Sequence, residues 1–273
     1  MPSNESQPRA KRRRVADWEL PPGVNRPLWD YMSEAHIARD YDATFAETNL
    51  IKLDRDFLTR HFRAPGRLVD LGCGTGRLLT HFSQRGLETL GVDLSEEMLA
   101  VCREKREELG APIGLLKANL CDLEVLRDGS FAYACCMFST MGMIIGREQR
   151  RRFLAEVRRV LKPSGLFGLH VHNRWYNLSD RQGRGWFARD LVKRVLRRHD
   201  TGDKVMKNYR GIPGLTLHLF TATELRAELG RAGFDIVDWV PLTSSRRESF
   251  PAGTLLRDLR ANGWLVMTRR SSR

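Results

Sequence analysis

The sequence predicts an α/β fold in which a parallel sheet carries helices on both faces. Three observations lead there. An apolar run at 68–71 ends in glycines at alternate positions, Gly72, Gly74 and Gly76, and a helical pattern follows at once. A second apolar run, Leu90-Gly91-Val92, closes on an acid, Asp93. Strand-like and helix-like segments then alternate through the middle of the chain, the pattern of parallel strands joined by crossover helices.

The elements follow in order. A helical segment runs through 35–42, ahead of the first strand near 68–71. After the second strand, Ser95 is placed to cap a helix opening with Glu96-Glu97, acids that suit the positive end of a helix dipole. The third strand is 113–117 and the fourth 131–138. An amphipathic helix at 148–161 is stopped by Lys162-Pro163-Ser164-Gly165, and the fifth strand spans 166–171. Thr221-Ala222-Thr223-Glu224 has capping-box spacing and opens a helix ending near Gly233. Strands at 234–240 and 264–267 come last. No internal repeat is visible.

The chain has 273 residues, 41% of them apolar, which suits one sizeable domain with attachments. Residues 1–24 read as a basic tail carrying Lys11-Arg12-Arg13-Arg14. Such a cluster serves as an import signal, a nucleic-acid arm or, most often, a solvated disordered segment. The domain proper is then 25–273, with an insertion at 174–215 that mixes Trp175, Tyr176, Trp186 and Phe187 with many basic residues. The polar, basic start argues against a signal peptide. The longest apolar run, 131–145, is too short for a membrane span and is broken by Ser139, Thr140 and Gly142. Five cysteines without C-x-x-C or zinc-finger spacing point to reduced thiols and a cytoplasmic setting. The net charge of +13 favours anionic partners, although solvated arginines alone would produce it.

The glycine spacing is not the G-x-G-x-x-G of dinucleotide sites. Asp70-x-Gly72-x-Gly74-x-Gly76, taken with the strand ending at Asp93, resembles the class I S-adenosylmethionine (SAM)-dependent methyltransferases, from about Asp40 to the C-terminus. The run Glu156-Val157-Arg158-Arg159-Val160-Leu161-Lys162-Pro163 resembles that family's approach to its fifth strand. The resemblance implies a Rossmann-like, seven-stranded, mostly parallel sheet with an antiparallel C-terminal hairpin.

It also implies a SAM site. The turn of Gly72, Gly74 and Gly76 lets backbone N–H groups approach the amino-acid tail of the cofactor. Asp70 suits the tail ammonium, and Asp93 the two ribose hydroxyls. Leu94 packs on adenine, and Asn119 and Leu120 follow the third strand at the adenine edge. The family often has an aspartate at the position of Asn119, whose amide oxygen accepts a hydrogen bond without charge. Phe138 belongs to the same set, and Tyr41, in a Tyr-Asp pair, is a lid residue over the cofactor.

Methyl transfer needs alignment and sometimes a base, not a protein nucleophile. His170 and His172 share one strand face and are the candidate general bases; a structural role for them stands beside that reading. With no third ligand at suitable spacing, no metal site is expected. The fourth strand lacks an Asn-Pro-Pro-Tyr motif, which argues against methylation of DNA amines. The insertion is expected to cap the acceptor site. A small-molecule acceptor leads; a tRNA or other RNA methyltransferase follows, supported by charge; a non-catalytic methyltransferase-like binding domain is the third reading.

Overall fold

The computed structural model describes residues 15–45, 49–196, 201–243, 245, 249–251 and 253–271. The basic cluster Lys11–Arg14 lies outside the described residues. Strands are β1 (Arg67–Leu71), β2 (Glu88–Asp93), β3 (Ile113–Lys117), β4 (Phe131–Cys136), β5 (Leu161–His172), β6 (Asp203–Val205), β7 (Thr216–His218), β8 (Phe234–Leu242) and β9 (Gly263–Arg270). Helices are α1 (Arg26–Ser33), α2 (Ala35–Arg39), α3 (Tyr41–Phe45), α4 (Asn49–His61), α5 (Arg77–Ser83), α6 (Glu96–Leu109), α7 (Thr140–Met143), α8 (Arg147–Val160), α9 (Arg181–Val195), α10 (Ala222–Arg231) and α11 (Arg257–Arg260).

The main sheet has seven strands in the order β3-β2-β1-β4-β5-β9-β8. β1 to β5 pair in parallel, while β9 runs antiparallel to both β5 and β8. The order reverses direction between β1 and β4, and ligands of open α/β sheets bind at such a switch, outside the carboxyl ends of the strands. β6, inside the insertion, and β7, directly after it, form a separate two-stranded ribbon.

The core strands are almost wholly apolar because both faces are covered. One face packs Val69, Leu71, Ala134, Phe167 and Leu169 against Phe153 and Val157 of α8. The other packs Leu68, Tyr133 and Met267 against Phe57, Leu58 and Phe62. Ser95 caps α6 as its position predicts, accepting from the Met98 N–H at 3.2 Å, and its hydroxyl donates to Met32 O at 2.6 Å, which ties α1 to the same point.

Three boundaries differ from the sequence reading, each for a local backbone reason. β4 stops at Cys136 because Phe138 and Ser139 take left-handed conformations, φ 56° and 65°. β5 starts at Leu161, with Lys162 to Gly165 absorbed as an irregularity at Ser164 (φ 60°). The segment 35–42 is two short helices that break at Asp40. Residues 15–24, which composition assigns to the tail, lie on the domain: the Ile145 N–H donates to Gly23 O at 2.9 Å and Asn119 Nδ2 to Pro22 O at 2.9 Å. Among the described residues no helix is long and apolar enough to cross a membrane.

Gly76 shows why the turn into α5 is written in glycine. Its φ is +81°, and a Cβ there would stand 2.2 Å from the Cys102 sulfur on α6. Gly76→Ala should therefore lose about 2–4 kcal/mol from the left-handed backbone and the overpacked helix contact together, read from denaturant midpoints.

Candidate active site

The turn after β1 is pinned to the end of β2. The Gly72 and Cys73 N–H groups both donate to Val92 O, at 2.8 and 3.1 Å. Asp93 completes the attachment, since its Oδ2 accepts from the Gly74 N–H and its Oδ1 from the Ser95 N–H, each at 2.8 Å. Burial pushes the Asp93 carboxyl above the ordinary aspartate range, against the opposing pull of those backbone donors.

A second clamp works from above. Asp42, next to Tyr41, accepts from the Thr75 hydroxyl at 2.6 Å and pairs with Lys105, whose ammonium also donates to Thr75 O at 2.9 Å. The Tyr-Asp pair thus divides its work: Asp42 grips the glycine turn, and Tyr41 is held over the crevice. The Tyr41 ring lies 4.8 Å from the Phe45 ring and 6.4 Å from that of Phe138, and Arg77 sits over both Tyr41 and Phe138. Burial pushes the Tyr41 hydroxyl up to about 12, so it stays protonated.

These groups line a cavity of about 570 Å³. Tyr41, Gly72, Gly74, Asp93, Leu94, Asn119, Leu120, Phe138 and His172 all border it. Gly74 is the opening: a Cβ there meets nothing within 4 Å, so the backbone faces free space. Asn119 sits on the wall with its amide already engaged, donating to Pro22 O and accepting from the Cys121 N–H at 3.1 Å. Its main observed work is to hold the N-terminal segment against the cavity.

Three of the residues expected at the site stand behind it instead. Gly76 is the N-cap of α5 and is occupied by packing against Cys102. Asp70 is buried beneath the turn, where the Cys135 thiol donates to it at 3.3 Å; burial pushes its carboxyl up to about 7. His170 is fully buried, with Nδ1 3.5 Å from Asp54 Oδ1 on α4, and does not reach the cavity. Of the two histidines on this strand face, whose rings are 5.4 Å apart, only His172 reaches the cavity. Cys73 is buried and its thiol pushed up, which fits a filler and not a nucleophile. Among the described residues no group of His, Cys, Asp and Glu is arranged to hold a metal ion.

Much of the remaining wall has no motif to announce it. Pro22, Gly23 and Val24 close one side. The insertion supplies Tyr176, Asn177, Lys204, Met206 and Tyr209. Arg174 opens the insertion, pairs with Asp190 of α9 in a buried contact and donates its N–H to Phe220 O at 2.8 Å, and the Phe220 N–H in turn donates to His172 O of β5 at 3.0 Å. Thr221 caps α10 by accepting from the Glu224 N–H, but Glu224 does not complete the capping box. Its carboxylate goes to His218 Nε2 at 3.1 Å, while His218 Nδ1 lies 2.6 Å from Asp203.

The residues present fit S-adenosylmethionine. The turn leaves open space at Gly74, Asp93 presents a carboxylate to the cavity, and Leu94 and Leu120 offer apolar surface beyond it. Comparison with known proteins agrees. Residues 68–165 match the family model described as a methyltransferase domain. A ubiquinone biosynthesis O-methyltransferase of Chromobacterium violaceum is 35% identical over 107 residues, 38% of this chain and 45% of that protein. Indeed, the alignments span less than half the length of the first curated relatives matched. The solved SAM-dependent methyltransferase from Methanosarcina mazei shares the fold with TM-score 0.63 at 19% identity, covering 79% of this chain and 97% of that one. A Burkholderia thailandensis 1,6-didemethyltoxoflavin-N1-methyltransferase, solved with its substrate and S-adenosylhomocysteine, gives 0.60 at 18% identity over 89% and 86%.

The fold is that of the solved SAM-dependent methyltransferases, and its cavity opens where the glycine turn and Asp93 meet. More narrowly, the match to a methyltransferase domain covers residues 68–165, the stretch that carries the turn and Asp93.

Asp70 makes the protein's stability depend on pH. The folded chain holds a proton on this carboxyl up to about pH 7, whereas the unfolded chain releases it near the ordinary value of 3.8. The folded state therefore binds more protons between those values, and this group's contribution to stability falls as pH rises through that window. Asp70→Asn should melt higher than the parent at pH 8, with the difference shrinking towards pH 4, as followed by thermal unfolding at both pH values.

Proposed function

We propose that this protein transfers a methyl group from S-adenosylmethionine to a small organic acceptor held between the sheet and the insertion. The observation that carries this reading is the continuity of one cavity, from Gly74 and Asp93 at the turn to Tyr176 and Met206 in the insertion. Its volume of about 570 Å³ lies within the range of roughly 300–1,000 Å³ expected of small-molecule sites. The Burkholderia thailandensis protein was solved with a small molecule, 1,6-didemethyltoxoflavin, bound, which supports the same class.

In this reading the turn around Gly74 holds the amino-acid tail, Asp93 accepts from the ribose hydroxyls, and Leu94, Leu120 and Asn119 border the adenine. SAM bound there would supply a sulfonium-activated methyl group to the acceptor. Tyr41 and Phe138, held from α3 and from the end of β4, close over the crevice and exclude water. His172, on the cavity wall, takes the proton of an O–H or N–H acceptor. Alignment supplies most of the rate, since the reacting group is already activated.

Removing the carboxylate tests the cofactor half directly. Asp93→Ala deletes the ribose acceptor and releases the Gly74 N–H, so the affinity for SAM in calorimetry should fall roughly a hundredfold or more. Retained affinity in a folded variant would refute the placement.

A further inference from the structure

The ribbon of β6 and β7 has two chemically different faces. Asp203 pairs across it with His218, Lys204 with Leu217 and Val205 with Thr216. Side chains alternate along a strand, so the pairs alternate too. Asp203 and His218 turn towards α10, where His218 also meets Glu224. Lys204 and Leu217 turn the other way and line the cavity, joined by Met206 and Leu215.

Lys204 therefore brings an ammonium to a wall that is otherwise largely apolar. Its position is fixed: Nζ donates to Asn177 Oδ1 at 2.6 Å and lies 5.9 Å from the centre of the Trp186 ring. Asn177 is itself buried and held, its amide donating to Arg174 O at 3.1 Å. Two acids, Asp93 and Asp180, border the same cavity, and neither forms an ion pair with Lys204. Asp203 faces the opposite side of the ribbon, Asp180 accepts from the Gly183 N–H at 2.7 Å, and Asp93 accepts from Gly74 and Ser95. Among the described residues Lys204 has no carboxylate partner. A cation fixed in a cavity by a neutral amide, and in ion-pair contact with no carboxylate among the described residues, is a receptor for an anion.

We infer that Lys204 anchors a carboxylate on the methyl acceptor, so that the substrate class is a small organic acid with an apolar body. The inference rests on the small-molecule reading above and narrows it. Lys204 is a specificity residue: the charge-assisted contact holds the acid end, while Met206, Leu215 and Leu217 receive the apolar part. The contact forms equally in the bound substrate and at the moment of transfer, so it acts on KM and leaves kcat nearly unchanged.

The test uses the full chain, SAM labelled in its methyl group and a small-molecule extract of the protein's native cells, with products separated by anion exchange. The expected labelled product is anionic. Lys204→Met should raise KM for its precursor roughly tenfold to a hundredfold with kcat nearly intact, and Lys204→Arg should recover most of the loss. Calorimetry with SAM verifies that each variant is folded, because Lys204 lies on the insertion and not at the turn. A labelled product that is neutral or cationic, or a KM indifferent to Lys204→Met, overturns the anchor and leaves the small-molecule function standing. No labelled small molecule at all, with SAM still bound, overturns that function and the anchor with it.

Discussion

The architecture of the site depends on one carboxylate. Asp93 ends β2 and receives two backbone N–H groups, from the glycine turn and from the start of α6. Through these bonds two loops from neighbouring strands are held at a common distance from the switch in strand order. Buried carboxylates are costly unless their oxygens are satisfied, and here the backbone supplies the compensation before any ligand arrives. The crevice is thus pre-shaped, and binding need not spend interaction energy on ordering the turn.

The second layer of control comes from elements that precede the sheet in sequence. Residues 15–24, α1, α2 and α3 fold over the carboxyl ends of the strands. Asp42 and Lys105 connect α3 to Thr75, Ser95 connects α6 to α1, and Asn119 connects the end of β3 to Pro22. Each is a polar link between a loop at the mouth of the cavity and a segment above it. The mouth is therefore framed by hydrogen bonds, whereas the sheet beneath is held by apolar packing.

The sheet was legible because its signals are local. Apolar runs, a capping serine at Ser95 and the alternate glycines survive without tertiary context. What misled was backbone conformation that residue type does not announce, such as the left-handed Phe138 and Ser139 that end β4 early. At the site, the turn and Asp93 were legible for the same reason. Asp70 and His170 belong to the correct strands, but their side chains serve the interior, while Gly76 is closed off by the Cys102 side chain; spacing alone does not tell the two sides of a turn apart. The wall supplied by the insertion was not legible residue by residue. Strands of three residues, as in β6 and β7, are too short to show a period, and composition placed Pro22 and Gly23 in a tail. The basic and aromatic mixture suggested a cap without saying which of its residues face inwards.

Because pleating alone decides which side of the β6–β7 ribbon meets the cavity, adjacent positions of opposite charge are separated by a single step of register. Inserting one residue ahead of Asp203 would exchange the two: an acid would enter the chamber, and a base would be pressed against His218 and Glu224. The ribbon is in effect a polarity selector with two settings. Diversification of this insertion by small insertions and deletions would reset the charge of the chamber abruptly, without touching the strands that carry the cofactor crevice.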